Sequence, residues 1–579
     1  MELIKNLVQV KNNWKPLKQW EFEQQKNEKI DDALRKKYIP TKESIEKAKN
    51  YSNTIIDSIN IMDKHTIDKS QDANLVVANY SAIISIASML LGIASGRFIK
   101  KTNLAKKLPD WKPYWELLGI ITLTSVSNVF LNIWQANVAK KSARIARFQT
   151  RENELKDFNN FIVYTKDQKD EAKEIAKSLS DDNFEDVKIL SKKHFNPIKM
   201  HKDAKLTLDN LNAEDIKYKE WKDNYLKKET QKEEKFKNLN DFIKEEDLIQ
   251  AEKERNNILK TIKKIENKSN EYSTNMKIAT FILSAIITSI TTLVGAGLSG
   301  VLSLITKNNK LSKKLNNFIK ISQFLLITLI PGYTTVFLTA PTVKLVKDAA
   351  RIGRFKAKQE LLNNPEEYIA FSDKERKSIS IDDSEVEVKK APKKGFKYYV
   401  NLLKELKNDA NEYFNYVNTT QKENEKINKA LKKIEVSEIQ KKEAKKIQKQ
   451  LFYAFEKVDE KQVSFIEDTD AIVDIIRDTL ISIINFGIKL LPIYVCAKDI
   501  KTINKGKMPE TLRDVIKIST SNKLKISTIV TLIMPFILPK FINFYAVIKS
   551  TEIEKQTGKI GVMTAIKDLE DARNFIVEN

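Results

Sequence analysis

Apolar residues in this chain gather into six long runs, residues 76–96, 115–137, 279–305, 318–340, 479–496 and 527–547. Between them Lys, Glu and Asn dominate and apolar residues recur at helical spacings. The runs come in pairs joined by short polar tips. At 1.5 Å per residue the runs span about 27–40 Å against a hydrocarbon layer of about 30 Å, so each pair reads as a transmembrane helical hairpin. Before the first pair, Pro40 and Thr41 mark a helix start. Ile45, Ala48, Ser52, Ile55, Ile59 and Met62 then alternate spacings of three and four, predicting an amphipathic helix that packs on another helix or in a coiled coil. Ile427, Leu431 and Ile434, then Ile447, Leu451, Phe455 and Val458, predict two further stripes on one later helix.

A basic, amphipathic tail follows each pair, and it recurs. ARIARFQTRENELKDFNNFIVYT at 143–165 lies over ARIGRFKAKQELLNNPEEYIAFS at 350–372 with an ungapped offset of 207. At twice that offset Leu155, Asp157, Asn160, Phe161 and Ile162 become Leu569, Asp571, Asn574, Phe575 and Ile576. The predicted fold class is therefore an all-α integral membrane protein of three repeats and six transmembrane helices, each repeat a charged helical region, a hairpin and a tail. The expected divisions are an N-terminal helical region at 1–74, hairpin and tail at 75–165, a helical linker at 166–275, hairpin and tail at 276–372, a flexible joint and helical linker at 373–470, and hairpin and tail at 471–579.

Within the first hairpin Ser88, Gly92 and Gly96 strip one helix face of bulk, and Gly295, Ser299 and Ser303 repeat the ladder in the second, which predicts close helix packing. In the tails Arg144, Arg147 and Arg151 run beside Ile145, Phe148 and Leu155. Arg351, Arg354 and Lys358 run beside Ile352, Phe355 and Leu362. These cations are candidates for anionic lipid headgroups or for docking the tail onto linker helices. Lys489 and Lys540, near the middle of the third pair, are candidate intramembrane charges, either a cationic site or lysines that snorkel.

The net charge of +24 is spread through linkers that also carry acids, without a compact patch interleaved with aromatic residues, so nucleic acid is not an expected partner. The expected partners are membrane lipids, with protein partners or self-association through the linker helices. One cysteine, Cys496, excludes a disulfide framework within the chain. The three histidines, His65, His194 and His201, have no metal-ligand spacing. There is no phosphate loop, nucleophile elbow or zinc-protease motif, so neither catalysis nor a cofactor is expected. Residues 1–10 are too short and polar for a cleavable signal. Together these features predict a multi-pass membrane scaffold, or alternatively a transporter or channel, in a bacterial inner membrane, with both termini cytoplasmic.

Overall fold

The regular structure of the chain is helical, with no strand among the described residues, in a computed structural model that describes residues 8–9, 11–99, 101–103, 115–179, 197–239, 244–308, 342, 345–360, 363–386, 396–458, 469, 471–477, 479–480 and 525–576. We number its main helices α1 (Trp14–Lys37), α2 (Lys42–Ile99), α3 (Trp115–Asn153), α4 (Lys166–Lys177), α5 (Pro197–Leu239), α6 (Glu245–Asn308), α7 (345–360), α8 (Asp373–Lys377), α9 (Phe396–Tyr416), α10 (Lys422–Leu431), α11 (438–458) and α12 (Lys525–Asp568). A π-helical turn, Val417–Gln421, joins α9 to α10. The two stripes assigned to one later helix lie on two, because the chain leaves α10 after Leu431. It restarts at Ser437, whose hydroxyl accepts the Gln440 N–H while the Gln440 side chain accepts the Ser437 N–H.

The repeat signature marks where helices stop. α3 and α12 each run into a 3-10 turn, Phe158–Phe161 and Ala572–Phe575, and the turn Pro365–Tyr368 follows α7, so the starts at 158, 365 and 572 are 207 apart. Asp157 and Asp571 accept the backbone N–H two residues on, which fixes the turn and lets Phe161 and Phe575 point inward with no exposed surface. After the first two turns, Thr165 with Gln168 and Ser372 with Glu375 form capping boxes that start α4 and α8. Of the segment expected as a flexible joint, the residues through 386 are described. A short 3-10 turn, Asp383–Glu385, is capped by Asp382, and Val386 is buried.

Three long helices meet in one core. Ile55, Ile59 and Met62 of α2, Ile258, Ile262 and Ile265 of α6, and Leu451, Phe455 and Val458 of α11 each have the spacing i, i+4, i+7, and all belong to a single buried cluster with Leu155, Phe161, Leu569 and Phe575. The stripe on α2 thus finds its partners in the equivalent helices of the other two repeats.

Beyond this core α2 and α3 pack closely along their length. The Ser88 and Ser127 hydroxyls lie 2.6 Å apart. A Cβ at Gly119 would come within 2.4 Å of the Gly92 carbonyl oxygen and 3.1 Å of the Gly96 nitrogen. Gly119→Ala is expected to force the helices apart and cost about 1–3 kcal/mol. A denaturation midpoint equal to that of the parent chain would show that the contact is not required. Gly295, Ser299 and Ser303 lie on or toward the end of α6, where only the backbone is described.

The structure corrects the membrane assignment. Among the described residues no helix is long and apolar enough to cross a membrane, which overturns the fold of six transmembrane helices, the multi-pass scaffold and transporter or channel readings, and the inner-membrane location. The physical reason is visible where the apolar runs begin and end. Ala73, Val77, Val138 and Ile145 are covered by Leu211 of α5, and Met276, Ala279, Val346 and Ala349 by Leu406 of α9. At these ends apolar surface is covered by protein, while farther along α2 and α6 Ile83, Leu91, Ile290, Val294 and Leu298 stay exposed. The runs 318–340 and most of 479–496 lie outside the described residues.

Candidate functional site

Three junctions hold the repeats together, and each joins a tail, a linker helix and a long helix drawn from three different repeats. In the first, Phe148 at the end of α3 packs on Tyr218 and Trp221 of α5, with ring centroids 6.0 and 5.1 Å away. Arg151, one turn on, lies 4.6 Å from the Trp221 ring and 5.0 Å from the Phe452 ring of α11, and donates to Glu456 at 2.8 Å. A guanidinium between two aromatic faces with a carboxylate at its edge satisfies both its charge and its apolar stem.

In the second junction Phe355 of α7 packs on Tyr413 and Tyr416 of α9, at 5.6 and 4.8 Å, and Lys358 bonds Asp57 of α2 at 2.6 Å. Burial pulls the Lys358 ammonium down, but Asp57 and Tyr416 outweigh it, and the group ends above its ordinary value. In the third junction Ile560 and Met563 of α12 pack on Leu17 and Trp20 of α1. Lys559 bonds Glu21 at 2.6 Å, and Lys263 of α6 stands 5.1 Å from the Trp20 ring. The linker helices thus use pairs at i, i+3 each time: Tyr218 and Trp221, Tyr413 and Tyr416, Leu17 and Trp20. The third linker helix is α1, from the opposite end of the chain, so the arrangement closes on itself.

Two of the tail cations proposed for lipid headgroups, Arg151 and Lys358, are placed at these junctions. Arg151 and Arg354 are each only 8% exposed, Arg351 is half-buried and bonds Asp348 at 3.4 Å, and Arg144 and Arg147 are half-buried with partners within the protein. Arg151 lies over a linker helix, at the Trp221 ring, and Lys358 meets α2 at Asp57. Lys489 lies outside the described residues, and at Lys540 only the helical backbone is described. His65 pairs with Glu154 at 2.6 Å; His194 and Cys496 lie outside the described residues, as does the side chain of His201. Among the described residues no group of three His, Cys, Asp or Glu side chains is placed to hold a metal ion.

A buried ionic cluster at the far end of α1 was not singled out in the sequence. Asp31, 2% exposed, receives two bonds of 2.8 Å from Arg376 of α8. Arg255 of α6 bonds Asp373 at 2.7 Å and donates to the Glu570 carbonyl after α12. Burial raises the Asp373 carboxyl, but the Arg255 bond and charge carry it below its ordinary value. Lys260 donates to the Glu367 carbonyl at 2.8 Å and is pulled down to about 8, first by burial and then by the neighbouring Arg35. The signal available beforehand was only the i, i+4 run of cations Lys260 and Lys264, ordinary in so basic a chain.

The Lys260 ammonium makes the stability of the fold depend on pH. Between pH of about 8 and 10.4 the unfolded chain binds a proton that the native state has released, so stability rises with pH across that window, and the penalty is complete below it. Lys260→Met is expected to stabilise the fold by the order of 1–2 kcal/mol at pH 7, and by progressively less as pH approaches 10. Urea denaturation at pH 7 and 9.5 checks this; an equal difference at both values would contradict it.

No family model, curated protein or solved structure matches the chain.

Proposed function

We propose that the chain is a non-enzymatic helical scaffold that associates with a second copy of itself through the outer parts of α2 and α6. The observation that supports this is an apolar stripe facing outward in both repeats. Ile83 and Leu91 of α2 are 54% and 60% exposed, with Ala87 exposed between them. Their equivalents 207 residues on, Ile290, Val294 and Leu298 of α6, are 55%, 51% and 46% exposed. Single exposed apolar side chains are ordinary, but a contiguous stripe on a protein surface is a feature of association sites. Spacings of four along a helix suit a partner helix laid alongside it. The absence of catalytic motifs from the sequence and the engagement of Arg151 and Lys358 inside the junctions support a structural role over a chemical one.

The test is sedimentation equilibrium of the full chain and of Leu91→Glu with Leu298→Glu. The parent chain is expected to gain mass with concentration, and the doubly substituted chain to lose most of that gain with an unchanged melting temperature. A monomeric parent chain, or an assembly left unchanged by both substitutions, would reject the reading.

A further inference from the structure

We infer that α1 is an exchangeable closing element, able to leave its own third junction and occupy the same junction of a second copy. The inference is independent of the exposed stripes on α2 and α6. The tail and linker helix of the first junction, α3 and α5, belong to adjacent repeats, as do α7 and α9 in the second. In the third, α12 meets α1, and Lys559 reaches Glu21 from the other end of the sequence. Only non-covalent contacts hold that closure in place.

The contacts are of the kind that a second copy reproduces in full. At its first half α1 presents Leu17, Trp20 and Glu21 to Ile560, Met563 and Lys559. At its second half it presents Ile30, Asp31 and Leu34 to Phe371 and Arg376. Every group that α1 meets in its own chain it meets again on an identical neighbour, so closed monomer and exchanged dimer share one interface. The balance between them is set by the connection and by concentration.

That connection is short and unburdened. Between Lys37 and Lys42 the chain turns through Tyr38 and Ile39, which are 54% and 85% exposed. Pro40 holds the residue before it out of helical geometry. The Thr41 hydroxyl accepts the Ser44 N–H and restarts the helix as α2. These two residues keep α1 and α2 from fusing into one rod, and a rod would carry α1 away from its own junction. Removing them therefore favours exchange.

Full-length chains carrying Glu21→Cys or Lys559→Cys, each with Cys496→Ser, are mixed in equal amounts, incubated, treated with a short bismaleimide and separated under denaturing conditions. A chain carrying both cysteines is expected to link internally, which reports α1 on its own tail. The mixture is expected to give a product of twice the chain mass containing one of each variant. Adding Pro40→Ala and Thr41→Ala is expected to raise its yield several-fold. If the double-cysteine chain links internally while the mixture yields no more paired product than either variant alone, with or without the hinge substitutions, α1 does not exchange and the inference fails. It fails equally if the double-cysteine chain does not link, because α1 would then not occupy the third junction at all.

Discussion

Arg376→Ala is expected to lower the stability of the fold by about 3–5 kcal/mol, the largest loss we anticipate from removing a single charge. Two bonds of 2.8 Å join its guanidinium to Asp31, whose side chain is almost wholly shielded from water. Truncation leaves that carboxylate buried without its counter-charge, and the cost comes chiefly from the stranded partner. Burial works against the Arg376 charge, yet the bonds to Asp31 hold it above its ordinary value, so the pair is intact across the accessible pH range on the cationic side. The acid side differs. The neighbouring Asp373 sits below its ordinary value, so its contribution is present at neutral pH and is lost as pH falls below roughly 4 through the folded-state value. Urea denaturation at pH 7 measures the substitution. Asp31→Asn with Arg376→Gln removes both charges while keeping polar groups of similar shape, and it is expected to recover much of the loss. A loss below about 1 kcal/mol for Arg376→Ala would place the pair among ordinary surface ion pairs.

What the sequence revealed was the repeat, and it did so because local chemistry carries it. The offset of 207 matches the spacing of the three 3-10 turns, although the apolar periodicity of the tails predicts amphipathic segments with no turn in them. Asp157 and Asp571 cap theirs by accepting a backbone N–H two residues on and need no distant partner. The i, i+4, i+7 stripe of α2 was legible for the same reason. Which helix it meets was not, because apolar periodicity fixes a face and leaves its partner open. The closure of α1 on α12 pairs Trp20 with Met563, and no local pattern spans that separation. The apolar runs misled in a different way. A run's length bounds what it is able to cross, whereas its environment depends on what covers it, and Leu211 and Leu406 cover the inner ends of two pairs from linkers far along the chain. The break between α10 and α11 was readable after all: Ser437 and Gln440 form the S-x-x-Q signature of a helix start, overlooked because the apolar spacing continues on either side.

The closed arrangement also decides what happens when a terminal repeat is damaged. Phe161 and Phe575 occupy equivalent places in the first and third tails, both with no exposed surface, and both rest on α11. Phe161 meets the Phe452 ring at 6.1 Å and Phe575 the Tyr453 ring at 5.6 Å, each edge to face. Gln450 of α11, itself 1% exposed, donates to the Phe575 carbonyl at 2.7 Å, and Gln448 donates to the Leu155 and Lys156 carbonyls at 2.7 and 2.8 Å. Two turns from repeats at opposite ends of the chain therefore clamp the same helix. In an open array the last repeat would fray first, and a cavity there would leave the main transition where it was. In a ring it has neighbours on both sides. Phe161→Ala and Phe575→Ala are each expected to cost about 3–5 kcal/mol, as for other fully buried aromatic side chains, and in both variants a single transition should shift as a whole. Thermal denaturation followed at once by far-ultraviolet circular dichroism and by tryptophan fluorescence makes the comparison. An early, separate loss of helix in Phe575→Ala, with the remaining transition unmoved, would show that the third repeat is an appendage and that the ring is not closed energetically.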